Sequence, residues 1–292
     1  MSTHRAGFVH IIGKPNAGKS TLFNALIDYA LSIATHKPQT TRHNIIGIDQ
    51  GEDHQAIYVD TPGYLEPAYE LQRAMMRNVK RALVDSDVLL WVVDIHHDEN
   101  DPFLLRYAKK EGPAFVLLLN KVDTLEPPAL AEALARWEKA FPETLCYPIS
   151  ALDKEQVGKL AKKITSLLPI HPPYYDKEML TDKPTRFFVA EMVRKAIFLH
   201  YKKEIPYSCE VVTDRFEEKE HAVVIHVNIY VERLGQKRIL IGHKGEAMKK
   251  VGIEARKSLE EFFKKKVFLS QMVKVLPGWR DKKSSFAEWG YR

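Results

Sequence analysis

Gly13-Lys-Pro-Asn-Ala-Gly-Lys-Ser20 decides the reading of this 292-residue chain. The octamer has the spacing G-x-x-x-x-G-K-[ST], follows the apolar run Phe8–Ile12 and opens the amphipathic stretch Ser20–Ile27. Side-chain-free glycines between a strand and a helix let the backbone wrap a chain of phosphates, with N–H groups and the helix N-terminus facing the oxygens. Gly13, Asn16, Ala17, Gly18, Lys19, Ser20 and Thr21 are the candidate cradle. In it Lys19 reaches the β- and γ-phosphates and the Ser20 hydroxyl ligates Mg²⁺.

Outward from the octamer, short apolar runs alternate with helical spacing. Strands are expected at Phe8–Ile12, Asn44–Asp49, Gln55–Asp60, Val88–Asp94, Ala114–Leu119 and Leu145–Ile149. Helices are expected at Ser20–Ile27, Leu71–Val84, Pro102–Glu111, Pro128–Ala140 and Lys154–Leu167. Only the second and third strands are joined by a tight turn, at Gln50–Gly51, so an α/β fold with a mostly parallel six-stranded sheet follows. Three further motifs end strands, where open sheets of this kind bind ligands. Asp60-Thr-Pro-Gly63 offers a carboxylate to Mg²⁺ and the Gly63 amide to the γ-phosphate. Asn120-Lys121-Val-Asp123 offers a carboxylate to N1–H and the exocyclic amine of guanine, groups that adenine lacks there. Ser150-Ala151-Leu152 offers an amide to the guanine O6.

Composition narrows the class. The chain is 45% hydrophobic and 28% charged, and its longest purely apolar runs, Val88–Val93 and Ala114–Leu119, fall far short of the roughly 20 residues that cross a bilayer. Met1–Ile12 lacks a long apolar core, so no secretion signal is expected. Two cysteines, Cys146 and Cys209, build neither a disulfide framework nor a four-ligand zinc site, which points to a reducing, cytoplasmic compartment. The net charge of +6 divides into −2 over residues 1–171 (19 basic, 21 acidic) and +8 over the remainder. Such asymmetry suits a polyanion or an anionic membrane surface at the C-terminal part. The proline-rich stretch 171–184 reads as a linker between domains 1–170 and 185–292.

Residues 1–170 resemble a translation-factor-type GTPase domain, on the phosphate-loop, D-T-P-G, N-K-V-D and S-A-L elements just quoted. The resemblance implies GTP and GDP as ligands, Mg²⁺ held by Ser20, Asp60 and a threonine, and a switch at Gln39-Thr-Thr-Arg-His43 where Thr40 or Thr41 senses the γ-phosphate. Lys19, Asn16, Thr40, Thr41 and Gly63 are then the candidates for hydrolysis. Where Ras-like enzymes carry a water-orienting glutamine, this chain has Tyr64, so slow intrinsic hydrolysis is expected. Asn16 resembles the asparagine that in one branch of these GTPases helps coordinate K⁺; a loop-stabilising side-chain hydrogen bond is the alternative.

In the basic half a helix (Thr185–Tyr201), two strands (Tyr207–Phe216, His221–Glu232), a helix–loop–helix and a last strand (Val267–Leu276) are expected. The loop Gly242-His243-Lys244-Gly245 follows Ile239-Leu-Ile241, and the whole resembles a type II KH domain. Glycines at a helix N-terminus admit a sugar-phosphate backbone, and Lys244, Lys249, Lys250 and Arg256 add cations. Ile241, Gly242, His243 and Gly245 complete the candidate set for single-stranded RNA, with DNA the alternative. Trp279, Phe286 and Trp289 either stack on bases or pack back on their own domain. His96–Asp101 reads as a solvated loop rather than a metal site, and Cys146 as a small buried filler.

A phosphate-loop GTPase followed by one KH domain, with Gln39-Thr-Thr-Arg-His43, resembles the Era family over nearly the whole chain. That resemblance implies a GTP-driven assembly factor for the 30S ribosomal subunit that recognises 16S ribosomal RNA near its 3′ end, with peripheral membrane association. The sequence points to no particular stable protein partner. A nucleotide-gated adaptor at anionic membrane is the rival reading, and it rests on the basic surface alone.

Overall fold

The computed structural model describes residues 4–97, 101–108, 112–282 and 289–291. They form two compact units, Met1–Glu66 with Met75–Asp182, and Pro67–Ala74 with Lys183–Arg292. In the first, β1 (Arg5–Ile12), β2 (Ile45–Gln50), β3 (His54–Asp60), β4 (Val88–Asp94), β5 (Ala114–Asn120) and β6 (Leu145–Ile149) make one sheet, ordered β2-β3-β1-β4-β5-β6. β2 and β3 are antiparallel across the Gly51 turn, as expected, and every other neighbouring pair is parallel. The connections carry α1 (Lys19–Ile27), α2 (Glu70–Asp85), α3 (Pro102–Ala108), α4 (Pro127–Ala140) and α5 (Lys154–Leu167). Strands covered on both faces read as unbroken apolar runs, and all of Val88–Asp94 is buried. The expected end of the third helix, Lys109–Glu111, lies outside the described residues, as do Asp98, Glu99 and Asn100.

The stretch read as a linker is strapped along the first unit up to Asp182. Ala6 N–H donates to Pro169 O at 3.1 Å, His171 N–H to His4 O at 3.1 Å and Ile48 N–H to Leu180 O at 2.9 Å. Gln55 is the clasp. Fully buried in β3, its Oε1 accepts from Tyr174 N–H (2.7 Å) and Tyr175 N–H (3.0 Å), while Nε2 donates to Tyr175 O (2.8 Å). Proline marks this segment as irregular, but buried edge amides need partners and the segment supplies them.

In the second unit α6 (Thr185–His200) is followed by β7 (Cys209–Glu218), β8 (Ala222–Val231), α7 (Leu234–Ile241), α8 (Glu246–Phe263) and β9 (Lys266–Val275). The sheet runs β7-β8-β9, with β7 antiparallel and β9 parallel to β8. Val189, Val193 and Ile197 of α6 and Val251, Ala255 and Leu259 of α8 share a core with Ile225, Val227 and Ile229 of β8. Gly242 joins α7 to the loop at φ +72°, and a Cβ there would meet Ala247 Cβ at 2.6 Å, so the turn demands glycine. The C-terminal rings pack back on their own unit. Trp279 is fully buried and donates from Nε1 to Ser208 O at 3.3 Å, and Trp289 lies against Tyr230 and Trp279 at centroid distances of 5.1 and 5.4 Å. Trp279 is therefore core rather than a stacking platform; Phe286 lies outside the described residues.

Gln55→Ala should lower the unfolding free energy by about 1–3 kcal/mol, because it strands three partly buried backbone partners. Urea unfolding measures the loss, and limited proteolysis should show earlier cutting within 169–182. An unchanged midpoint would mean that the strap is held without Gln55.

Candidate functional site

A cavity of about 540 Å³ gathers five separated stretches of sequence: Asn16 and Gly18–Thr21, Thr40 with Thr41, Gly63, Asn120–Lys121 with Asp123, and Ser150–Leu152. The parallel strands bring these loops to one edge of the sheet, as the motif spacing requires. Gly13, Ala17 and Asp60 belong to the same loops but lie behind the wall. Ala17 and Asp60 are fully buried, and Gly13 O accepts from Tyr64 N–H at 3.2 Å.

Lys19 is buried at the start of α1, and its ammonium donates to Lys14 O at 2.8 Å. Burial pushes its pKa down to about 8, with Asp60 opposing the shift. A buried cation facing a cavity at a helix N-terminus is a receptor for phosphate oxygens.

Asp60 gathers hydroxyls. Its Oδ2 accepts from Ser32 (2.6 Å), Ser20 (2.7 Å) and Thr41 (3.2 Å), and Ser20 and Thr41 lie 2.9 Å apart. Thr41, not Thr40, is thus the threonine brought to Ser20 and Asp60; Thr40 lines the cavity instead. Burial raises the Asp60 pKa, opposed by these hydrogen bonds and by Lys19, and its Oδ1 is buried without a partner. Hard oxygen donors converging around an orphaned carboxylate oxygen fit a divalent cation such as Mg²⁺. Ser32 was not foreseen. It sits outside every motif, and its place comes from Asn24 on α1, which accepts from Ser32 N–H and donates to Ser32 O, both at 2.9 Å.

At the other end of the cavity, Asn120 ties two loops together: Nδ2 donates to Ala17 O (2.8 Å) and Oδ1 accepts from Ala151 N–H (3.0 Å). Lys121 pairs with Asp94 at 2.6 Å, and His96 meets Thr124 at 2.7 Å, so the loop after β4 buttresses the N-K-V-D turn. The hydrogen bond and charge of Lys121 help hold the Asp94 pKa down against burial, the largest single influence. Among the described residues no cluster of metal-ligating side chains forms around His96 and His97. Asn16, at φ +65°, donates from Nδ2 to His36 O at 3.1 Å, a bond to a distant loop rather than a local one within the phosphate loop.

Tyr64 turns away from the cavity. Its ring packs on Phe103 and Trp91, its hydroxyl donates to Asp101, and Asp101 also pairs with Lys14 at 2.8 Å. A phenol so held orients no water at the phosphates.

In the second unit a cavity of about 960 Å³ opens beside the glycine loop, walled by Ile241, Gly245, Lys249 and Arg256 together with β9. His243 and Lys244 are exposed in the loop, with Lys244 at φ +47°, whereas Lys250 is exposed away from the cavity wall.

A family model described as 50S ribosome-binding GTPase matches residues 8–121, and a KH domain model matches 204–280. The chain is 40% identical to GTPase Era of Pseudomonas putida (strain KT2440), across 98% of this chain and 96% of that protein. The chain belongs to the Era family of GTPases. With the chloroplastic GTPase ERA-like protein of Arabidopsis thaliana it shares 38% identity over 99% of its length and 69% of the relative's. Era in complex with MgGDPNP and nucleotides 1506–1542 of 16S ribosomal RNA superposes with a TM-score of 0.93 at 32% identity, covering 99% of both chains. A tyrosine-to-alanine variant of Aquifex aeolicus Era bound to GDP·AlF₄⁻ gives 0.92 at 32%, covering 98% and 99%. Family membership makes this chain a GTPase.

Because a triphosphate favours the charged form of Lys19, binding should become proton-linked once pH passes about 8. GTP affinity is expected to fall by at most about tenfold per pH unit from there upward, with proton uptake visible as a buffer-dependent enthalpy in calorimetry. Lys19→Met should bind weakly and without that slope. A wild-type affinity that is level from pH 7 to 9.5 would contradict the assignment.

Proposed function

We propose that this GTPase is a nucleotide-controlled switch that binds 16S ribosomal RNA near its 3′ end through the KH domain and assists maturation of the 30S subunit. The observation that carries the RNA reading is the cavity of about 960 Å³ between the glycine loop and β9, with Lys237, Lys249 and Arg256 on its wall. The solved Era complex with 16S nucleotides supports it. The division of labour falls between residues 1–170 and 185–292.

At the first cavity GTP and water become GDP and inorganic phosphate. In the proposed roles the cradle of Gly13–Thr21 holds the phosphates, and Lys19 sits between the outer two. Ser20, Thr41 and Asp60 hold Mg²⁺, which when bound neutralises charge on the phosphate oxygens. Asn120, Lys121 and Asp123, with Ser150–Leu152, select guanine. Thr40 and Gly63 lie against the terminal phosphate, so its presence orders both switches and its loss releases them. Tyr64 is engaged by Asp101, which leaves intrinsic hydrolysis slow. Asn16 is proposed to contribute to a K⁺ site at the phosphates, beside its bond to His36 O.

An anionic membrane draws on the same basic charge, but a headgroup needs no glycine loop and no cavity, so RNA is favoured. No described helix is long and apolar enough to cross a membrane. The cytoplasm is the proposed site of action.

Gly242→Asp should weaken binding of a single-stranded RNA from the 16S 3′ end by at least about tenfold, since a carboxylate enters the phosphate path and the residue leaves its preferred φ region. Gel shift measures it, and undiminished binding would sink the KH reading; retained GTP hydrolysis checks that the first unit is intact. For Asn16, turnover in KCl should exceed that in NaCl and Asn16→Ala should erase the difference, equal rates in wild type being the contrary result.

A further inference from the structure

The inner face of β9 contains one residue out of character. Alternation along the strand turns Val267, Leu269, Gln271 and Val273 the same way, against α7 and α8, while Phe268 and Met272 face solvent. Three are aliphatic and the fourth is an amide. Gln271 Oε1 is buried and has no hydrogen-bond partner, a costly state for a carbonyl oxygen. Opposite it stands Gly252, in the interior of α8, where glycine is among the poorest helix formers. A Cβ on Gly252 would lie 2.6 Å from Gln271 Nε2, so the bare helix position accommodates the amide where it stands. Gly252 and Gln271 both line the cavity beside the glycine loop.

A leucine at 271 would continue the apolar face and satisfy every neighbour. Two sequence choices, each unfavourable to local stability, instead keep an unpaired amide on the wall of a cavity that also carries Lys249 and Arg256. Accepting the KH reading on which it rests, we infer that Gln271 is a specificity-determining residue that reads an unpaired adenine base. Turning about its terminal torsion, which has a broad profile, the amide presents its oxygen to the exocyclic amine and its nitrogen to the adjacent ring nitrogen. That donor–acceptor pair is the one by which glutamine selects adenine. Lys249 and Arg256 supply cations for the flanking phosphates, and exposed Phe268 offers a ring face to the neighbouring base.

The test compares full-length wild type with Gln271→Leu against a pool of single-stranded RNA decamers randomised at every position, with bound RNA sequenced. Wild type should enrich adenine at one position by about fivefold or more, and the variant should lose that preference while total RNA bound stays within about twofold. Thermal melting separates this from a packing role: Gln271→Leu should melt higher, because it removes a buried unpaired group. Identical base profiles, enrichment of a different base at the affected position, or a lower melting temperature for the variant would overturn the assignment. If neither protein retains RNA, the KH reading itself falls, whereas retention with unchanged profiles removes only Gln271.

Discussion

Asp60 ends β3 out of contact with solvent, and its carboxylate would be a poor occupant of that place without the hydroxyls of Ser20, Ser32 and Thr41 and the nearby charge of Lys19. Each hydroxyl comes from a different piece of chain: the phosphate loop, the first part of the connection after α1, the stretch before β2. Desolvation makes the carboxylate costly and the hydrogen bonds offset that cost, so four segments are fixed by one group. Because Oδ1 stays unpaired, the centre is balanced for a cation rather than for the free protein. The same arrangement ties Thr41 directly to Ser20 at the end of the phosphate loop.

A second junction serves the other end of the cavity. Asn120 spans from the phosphate loop to the Ser150 loop, and Asp94 holds Lys121, so this end is braced by strand ends on both sides. Between the two, Asp101 holds both Lys14 of the phosphate loop and the hydroxyl of Tyr64. The residue after D-T-P-G is thereby committed to the aromatic core formed with Trp91 and Phe103, which agrees with an enzyme that does not use it to orient water.

What the sequence made legible was whatever rests on local spacing. Strands buried on both faces announce themselves as apolar runs, and four motifs at strand ends define a cavity before any coordinates, because parallel topology sends strand ends to one edge. Choices between neighbours were not legible: Thr40 and Thr41 share one local context, and only the distance to Ser20 separates them. Ser32, Asn24, Asp94 and Asp101 carry no motif, since their roles arise from contacts across the fold. The tail was left with two readings for a related reason. Aromatics interleaved with cations suit either RNA or a hydrophobic pocket, and the buried Trp279 ring with its bond to Ser208 O shows the pocket.

The strap from Pro169 to Asp182 carries a consequence beyond its own order. β2 is an outermost strand of the sheet, and an outermost strand with free backbone groups invites pairing with another chain. Leu180 takes up the Ile48 N–H, and the Gln50 and Gln55 amides bind Asp176 O and Tyr175 O, so that flank of the sheet is sealed from within. The chain thus guards itself against self-templated aggregation with residues that composition alone would assign to a mere tether.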